Sequence, residues 1–213
     1  MGEGDCACWF GCLFVLLTDC TFAQMKLIEE QIFTAKDLDG SSFEIAQYEL
    51  CTFNTIDFKG ISFSNVKFVE CNFVDCDLSM LNLTGSMLQE VQFTRCKMLG
   101  LFFETVKPFL FQVGFDHCNL ETSSFSGVNM QNTNFNACKL TGVDYTETDL
   151  SGATFIDCDL FRASFQNTNL SATDLRMARN FSIDIQSNRV KKAIVSNTNL
   201  EGFLSGAGLD IRD

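Results

Sequence analysis

From Gly114 to Leu175 the chain repeats every five residues with almost no error. The apolar residue of each unit reads Phe115, Leu120, Phe125, Met130, Phe135, Leu140, Tyr145, Leu150, Phe155, Leu160, Phe165, Leu170 and Leu175. Two positions earlier stands a small or compact side chain, as at Val113, Cys118, Ser123, Thr133, Cys138, Ala153 and Cys158. The residue between them is usually Asp, Asn or Ser. An amphipathic helix needs apolar spacing near 3.6 and a half-buried strand needs spacing of 2, so neither explains this run. A fixed short period signals a solenoid, in which each unit is too small to bury a core alone and its neighbours complete it.

Units such as Cys158-Asp159-Leu160-Phe161-Arg162 and Ala153-Thr154-Phe155-Ile156-Asp157 resemble the A(D/N)LXX unit of pentapeptide-repeat proteins, and the resemblance extends over residues 33–178. It implies an all-β fold, a right-handed quadrilateral β-helix with four pentapeptides per coil. Each side then recurs every 20 residues, and the sequence carries that period independently. Phe33, Phe53, Phe73 and Phe93 are spaced by 20, as are Phe115, Phe135 and Phe155, and Cys118, Cys138 and Cys158. About seven coils at the ~4.8 Å spacing of neighbouring strands predict a rod roughly 35 Å long.

Composition matters here for where residues fall. Of 23 Phe, 14 occupy the apolar centre of a unit, and burying each contributes ~1.5–3 kcal/mol before ordering entropy is subtracted. Stacked Phe columns are therefore the expected source of stability. Seven of the 11 Cys, namely Cys51, Cys71, Cys76, Cys96, Cys118, Cys138 and Cys158, take the small inward position. They share it with Ala, Val, Ser and Thr, so the position reads as one that asks only for size. Free cysteine suits such a core, which predicts reduced packing thiols and a cytoplasmic protein. The net charge of −12 repels phosphates and argues against direct nucleic-acid binding.

The expected organisation is an N-terminal extension or cap at 1–28, the repeat rod at 29–178, and a C-terminal cap with a dimerisation tail at 179–213. Cys6 to Leu17 has the length of a secretory signal, but Glu3 and Asp5 stand where positive charge belongs. Cys6, Cys8, Cys12 and Cys20 lack a CxxC pair and make a poor zinc set. No membrane span and no cofactor are expected. The first register runs from Phe33 to Phe103 and then slips near 104–110, where the only proline, Pro108, sits. Proline fixes φ and lacks a ladder donor, so it belongs at a bulge or corner. Phe102, Phe109 and Phe111 fall there on positions that are polar elsewhere, marking either an aromatic seam for a partner or a cover for the bulge. Past Ala178 the repeat stops, and Asn188–Val195 reads as a short helix with Asn188 as its N-cap. The final segment resembles the C-terminal element through which Qnr-type family members dimerise, which points to Phe203, Leu204, Leu209 and Ile211 as homodimer contacts.

No hydrolytic or phosphate-binding motif is present, and the lone His117 precedes an inward Cys118. The chain reads as non-enzymatic. Asp37, Asp57 and Asp77 are spaced by 20. Asp at this position hydrogen-bonds the local turn, yet like charges stacked at strand spacing are unfavourable where Asn would serve. Residues 33–178 carry 18 acidic against 9 basic side chains, so these aspartates are also candidates for a partner-facing acidic surface. Qnr-type relatives resemble B-form DNA in width and charge and bind DNA gyrase or topoisomerase IV. The resemblance therefore implies a protein partner, with a scaffold unrelated to topoisomerases as the alternative. The loops that protrude from Qnr-type rods have no counterpart here beyond the slip at Pro108.

Overall fold

Each unit of five makes one corner. At Phe58 the chain bends through Lys59 and Gly60 so that the amide of Ile61 donates to the Phe58 carbonyl at 2.9 Å, with Gly60 at φ +80°. A positive φ at the third residue of a turn favours glycine, which has no Cβ to clash. Most corners nevertheless hold other residues, among them Met80 and Arg162, both at φ +58°. The cost is offset along the rod, because the Met80 amide donates to the Leu99 carbonyl of the next coil at 2.9 Å. The Asp or Asn ahead of the apolar centre locks the bend: Asp57 Oδ1 accepts from the Lys59 amide, Asp77 from Ser79 and Asn169 from Ser171, at 2.9–3.2 Å.

Four corners close a coil. The structure, a computed structural model, describes residues 25–38 and 43–204. On the first side the strands Leu27–Glu29, Gln47–Glu49, Lys67–Val69 and Met87–Gln89 form a parallel sheet. On the second, seven parallel strands stack from Ile32–Thr34 to Thr154–Ile156. The other two sides are held by single parallel bridges, such as Asp57 to Asp77 to Lys97 on the third and Ser124 to Asp144 to Ser164 on the fourth. This is an all-β solenoid of parallel strands. The seven-stranded ladder spans about six turns rather than the expected seven coils, because beyond Ile156 pairing thins to isolated bridges at Asp174 and Ile194.

Inside, two ring columns run along the axis. In one, Phe33, Phe53, Phe73, Phe93, Phe115, Phe135 and Phe155 stack with centroids 4.6–5.5 Å apart. In the other, Phe103, Phe125, Tyr145 and Phe165 stack at 4.4–5.5 Å. The first column crosses the register slip intact, since the spacing from Phe93 to Phe115 absorbs two extra residues. These are taken up at Pro108–Phe111, where the Phe111 amide closes a turn onto the Pro108 carbonyl and Gln112 reaches the Leu88 carbonyl. Pairing resumes at once with Val91 opposite Val113.

Most small inward side chains that carry a donor also make a hydrogen bond. Cys76, Cys96, Cys118, Cys138 and Cys158 each donate Sγ–H to the carbonyl of an aromatic residue one coil back, at 3.3–3.6 Å. Thr148 and Thr168 do the same to Phe125 and Tyr145 at 2.7 Å. The Phe125 and Tyr145 carbonyls also accept the turn amides of Val128 and Thr148, and Val143 and Ala153 fill the same position without a donor, so these hydrogen bonds add to packing at a position that size defines. The seven cysteines are free and buried. Burial pushes the Cys71 thiol up to about 12, and hydrogen bonding with the Cys138 thiol, together with burial, pushes Cys118 up to about 12. Near pH 8 only about one such thiol in 10⁴ is the reactive thiolate. We expect Cys71 and Cys118 to stay unmodified by an aromatic disulfide reagent in native buffer and to react fully in denaturant, as peptide mapping would show.

At the C-terminal end the predicted helix over Asn188–Val195 is absent. The segment forms another coil: Arg189 bridges Asn169 and Ile194 bridges Asp174, with Val190, Ala193 and Val195 packed on the core. The spacing of five continues there, and it overrides any local helical preference. A short 3₁₀ turn at Leu200–Phe203 follows, and Phe203 is buried against Phe181 with ring centroids 5.4 Å apart.

Candidate functional site

The outer surface follows from the same register, because outward positions stack on their equivalents at 20-residue intervals, or 22 across the slip. On the third side the column reads Asp57, Asp77, Lys97, Asn119, Lys139, Asp159 and Arg179. Asp57 and Asp77 are neighbours as expected. Asp77, however, pairs with Lys97 at 2.9 Å. Partial burial would raise its pKa, but hydrogen bonds from Ser79 and the Lys97 ammonium outweigh that and hold it below the usual carboxylate range. Asp37 stands apart in the 3₁₀ turn Ala35–Asp37, where its carboxylate accepts from the Thr34 amide at 2.7 Å and from the Thr34 hydroxyl at 2.9 Å. Those hydrogen bonds lower its pKa. This side therefore mixes both signs of charge, and all three predicted aspartates have local partners, Asp57 through the Lys59 amide.

Uncompensated acid lies elsewhere, along the edge between the first and second sides. Glu30, Glu70 and Glu90 occupy its corner positions at φ +51° to +54°, with Glu29 and Glu49 one residue before the corner. Among the described residues none of the five pairs with a basic side chain. This line escaped the sequence reading because it lies in the most variable position of the repeat. The 20-residue spacing of Glu30, Glu70 and Glu90 about Leu50 is the signal that would have found it.

The aromatic seam is divided. Phe102 is 54% exposed and begins the 3₁₀ turn Phe103–Thr105 on the fourth side. Phe109 is 56% exposed on the first side, where its carbonyl accepts from Gln89 Nε2. Phe111 turns inward and packs edge-on to Phe103 at 6.5 Å. Of the proposed dimer contacts, Phe203 is taken up by the cap and Leu204 is half-buried, while Leu209 and Ile211 lie outside the described residues. His117 is outward, 3.1 Å from Asp116, whereas Cys118 is buried. Among the described residues no group of three or more His, Cys, Asp or Glu could hold a metal, and no helix is long and apolar enough to cross a membrane. The Cys6, Cys8, Cys12 and Cys20 set lies outside the described residues.

A four-sided parallel solenoid with turn-locking Asp/Asn and aromatic columns defines the class of this protein. Family models for pentapeptide repeats match residues 56–100 and, as a pentapeptide repeat region, residues 101–175, more than half of the chain between them. The chain belongs to the pentapeptide-repeat family. Among solved structures it is similar to full-length QnrB1, a plasmid-mediated fluoroquinolone resistance protein, at 19% identity over 86% of this chain and 100% of that one, with a TM-score of 0.46. It is also similar to HetL of Nostoc, a pentapeptide repeat protein involved in heterocyst differentiation regulation, at 15% identity over 79% and 82% of the two chains, TM-score 0.33. A third is a pentapeptide repeat protein of the Arabidopsis thaliana thylakoid lumen, at 20% identity over 62% and 72%, TM-score 0.20. No curated protein sequence matches the chain.

Proposed function

We propose that this chain is a non-enzymatic, cytoplasmic binding protein whose rigid acidic rod docks into a protein surface built to receive DNA, with type II topoisomerase as the partner. The observation that carries this reading is charge held in a fixed register: residues 33–178 bear 18 acidic and 9 basic side chains on a frame with rungs ~4.8 Å apart. A preorganised acidic cylinder enters a basic saddle without the ordering cost a flexible chain would incur. A second reading, a scaffold for an unrelated protein, is favoured by Phe102 and Phe109, whose rings are more than half exposed. Exposed aromatics of this kind anchor protein interfaces.

One assay separates them. Gyrase supercoiling and drug-induced DNA cleavage are measured against added protein, using the natural chain, a triple reversal of Asp37, Asp57 and Asp77 to Lys, and Phe109→Ser. The topoisomerase reading expects inhibition or protection by the natural chain, weakened at least ~10-fold by the reversal if each removed charge pair is worth several tenths of a kcal/mol or more. No effect from a protein shown to be folded removes that reading. An effect lost only in Phe109→Ser moves the contact to the aromatic position.

A further inference from the structure

The edge between the first and second sides is electrically bipolar, a feature independent of the topoisomerase reading. Nine residues with positive φ mark its corners, beginning at Glu30 and ending at Lys192, and Leu110 is the fifth. Four rungs lie on either side of it. The first four corners hold Glu30, Glu70 and Glu90, with Leu50 between. Beyond Leu110 the corners are Asn132, Gly152 and Ala172, which are neutral, before Lys192. At that last rung Lys191 and Arg189 join Lys192, all three exposed, and among the described residues none pairs with an acid. At the centre, Leu110 is 65% exposed beside Phe109.

A line that is acidic at one end, basic at the other and apolar midway is complementary to itself when reversed. We propose that this edge is the interface for a second copy of the chain, packed antiparallel with the two-fold axis passing at Leu110. An isologous contact of this kind pairs each rung with its mirror about the axis. The axis sets Glu30 against Lys192 and Glu29 against Lys191 at both ends, Glu90 against Asn132 and Glu70 against Gly152 between them, and Leu110 and Phe109 against their own copies. Reversal is what makes the match. A parallel pairing would set the carboxylates of Glu30, Glu70 and Glu90 against themselves. Eight rung spacings make the edge about 38 Å long. At about 10 Å wide it covers roughly 400 Å² per copy, half the standard for a stable complex. The dimer is therefore weak and held largely by exposed charge, which salt screens.

Sedimentation of the full chain tests this directly. The dimer is expected at about 20 mM salt and is expected to dissociate near 0.5 M, where the screening length falls to a few ångströms. Lys191→Glu with Lys192→Glu should weaken self-association at least 10-fold, and so should Glu29→Lys with Glu30→Lys. Mixing these two doubly reversed chains should restore a dimer containing one of each, which also shows that both are folded. A dissociation constant unchanged by either reversal, or a monomer at every salt concentration, overturns the proposal. So does a salt-insensitive dimer abolished by Leu209→Asp with Ile211→Asp, which would place the contact in the tail.

Discussion

Replacing Phe135 with alanine is expected to lower the free energy of unfolding by about 3–5 kcal/mol, the range for a buried aromatic ring removed from a core that only partly collapses. Phe135 is fully buried and lies parallel to Phe115 at 5.2 Å and Phe155 at 4.8 Å, edge-on to Phe125 and Tyr145 at 6.2 Å. One truncation therefore removes four ring contacts and opens a void midway along the rod. In a solenoid each coil is supported only by its neighbours, so the lost contacts have no distant substitute. Phe135→Leu, which retains most of the volume, should cost less than half as much. Phe33 packs against the core only in part, at the N-terminal end of the same column, and its alanine variant should cost less than that of Phe135. Denaturant midpoints for the three variants give the order. A loss below about 1 kcal/mol at Phe135 would mean that the column is not the chief source of stability.

Most of the frame was readable in advance because one short rule governs it. A residue such as Phe135 or Leu140 is apolar at intervals of five, and the recurrence of Phe and Cys every 20 residues fits the coil of four corners that the family resemblance implies. The surface was less readable for a reason built into the same rule. Outward positions are free of packing constraint, so the two that matter for charge, Glu30 and Glu70, look like random variation until rungs 20 or 40 residues apart are set side by side. Asp37 fails in the opposite way: its spacing matches Asp57 and Asp77, but Thr34 supplies both an amide and a hydroxyl within 3 Å, and the local turn captures the carboxylate. Phe111 likewise falls on a position that is polar elsewhere, yet it turns toward Phe103 because the two residues added at the slip shift the backbone beneath it.

Asn188 was misread for a related reason, and it carries the second large effect. Standing before Arg189 and Val190, it looks like a helix cap, yet it fills the inward position one coil after Thr168. There its Oδ1 accepts from the Thr168 amide at 2.9 Å, and its Nδ2 donates to the Phe165 carbonyl at 3.0 Å and the Asp184 carbonyl at 2.8 Å. The residue is 9% exposed. Asn188→Leu keeps the volume but strands the Thr168 amide and the Phe165 carbonyl out of water, each at about 1–3 kcal/mol, so a total loss of roughly 2–5 kcal/mol is expected. Asn188→Thr should recover about half of it, because a threonine here can donate to Phe165 as Thr168 does to Tyr145, while the Thr168 amide stays unpaired. Hydrogen exchange adds a local readout: the Thr168 amide should lose protection in both variants, ahead of the amides of the central coils. If Asn188→Leu proves neutral, the inward position requires size alone, and the ladder of hydroxyl and thiol donors along the rod contributes packing without hydrogen bonding.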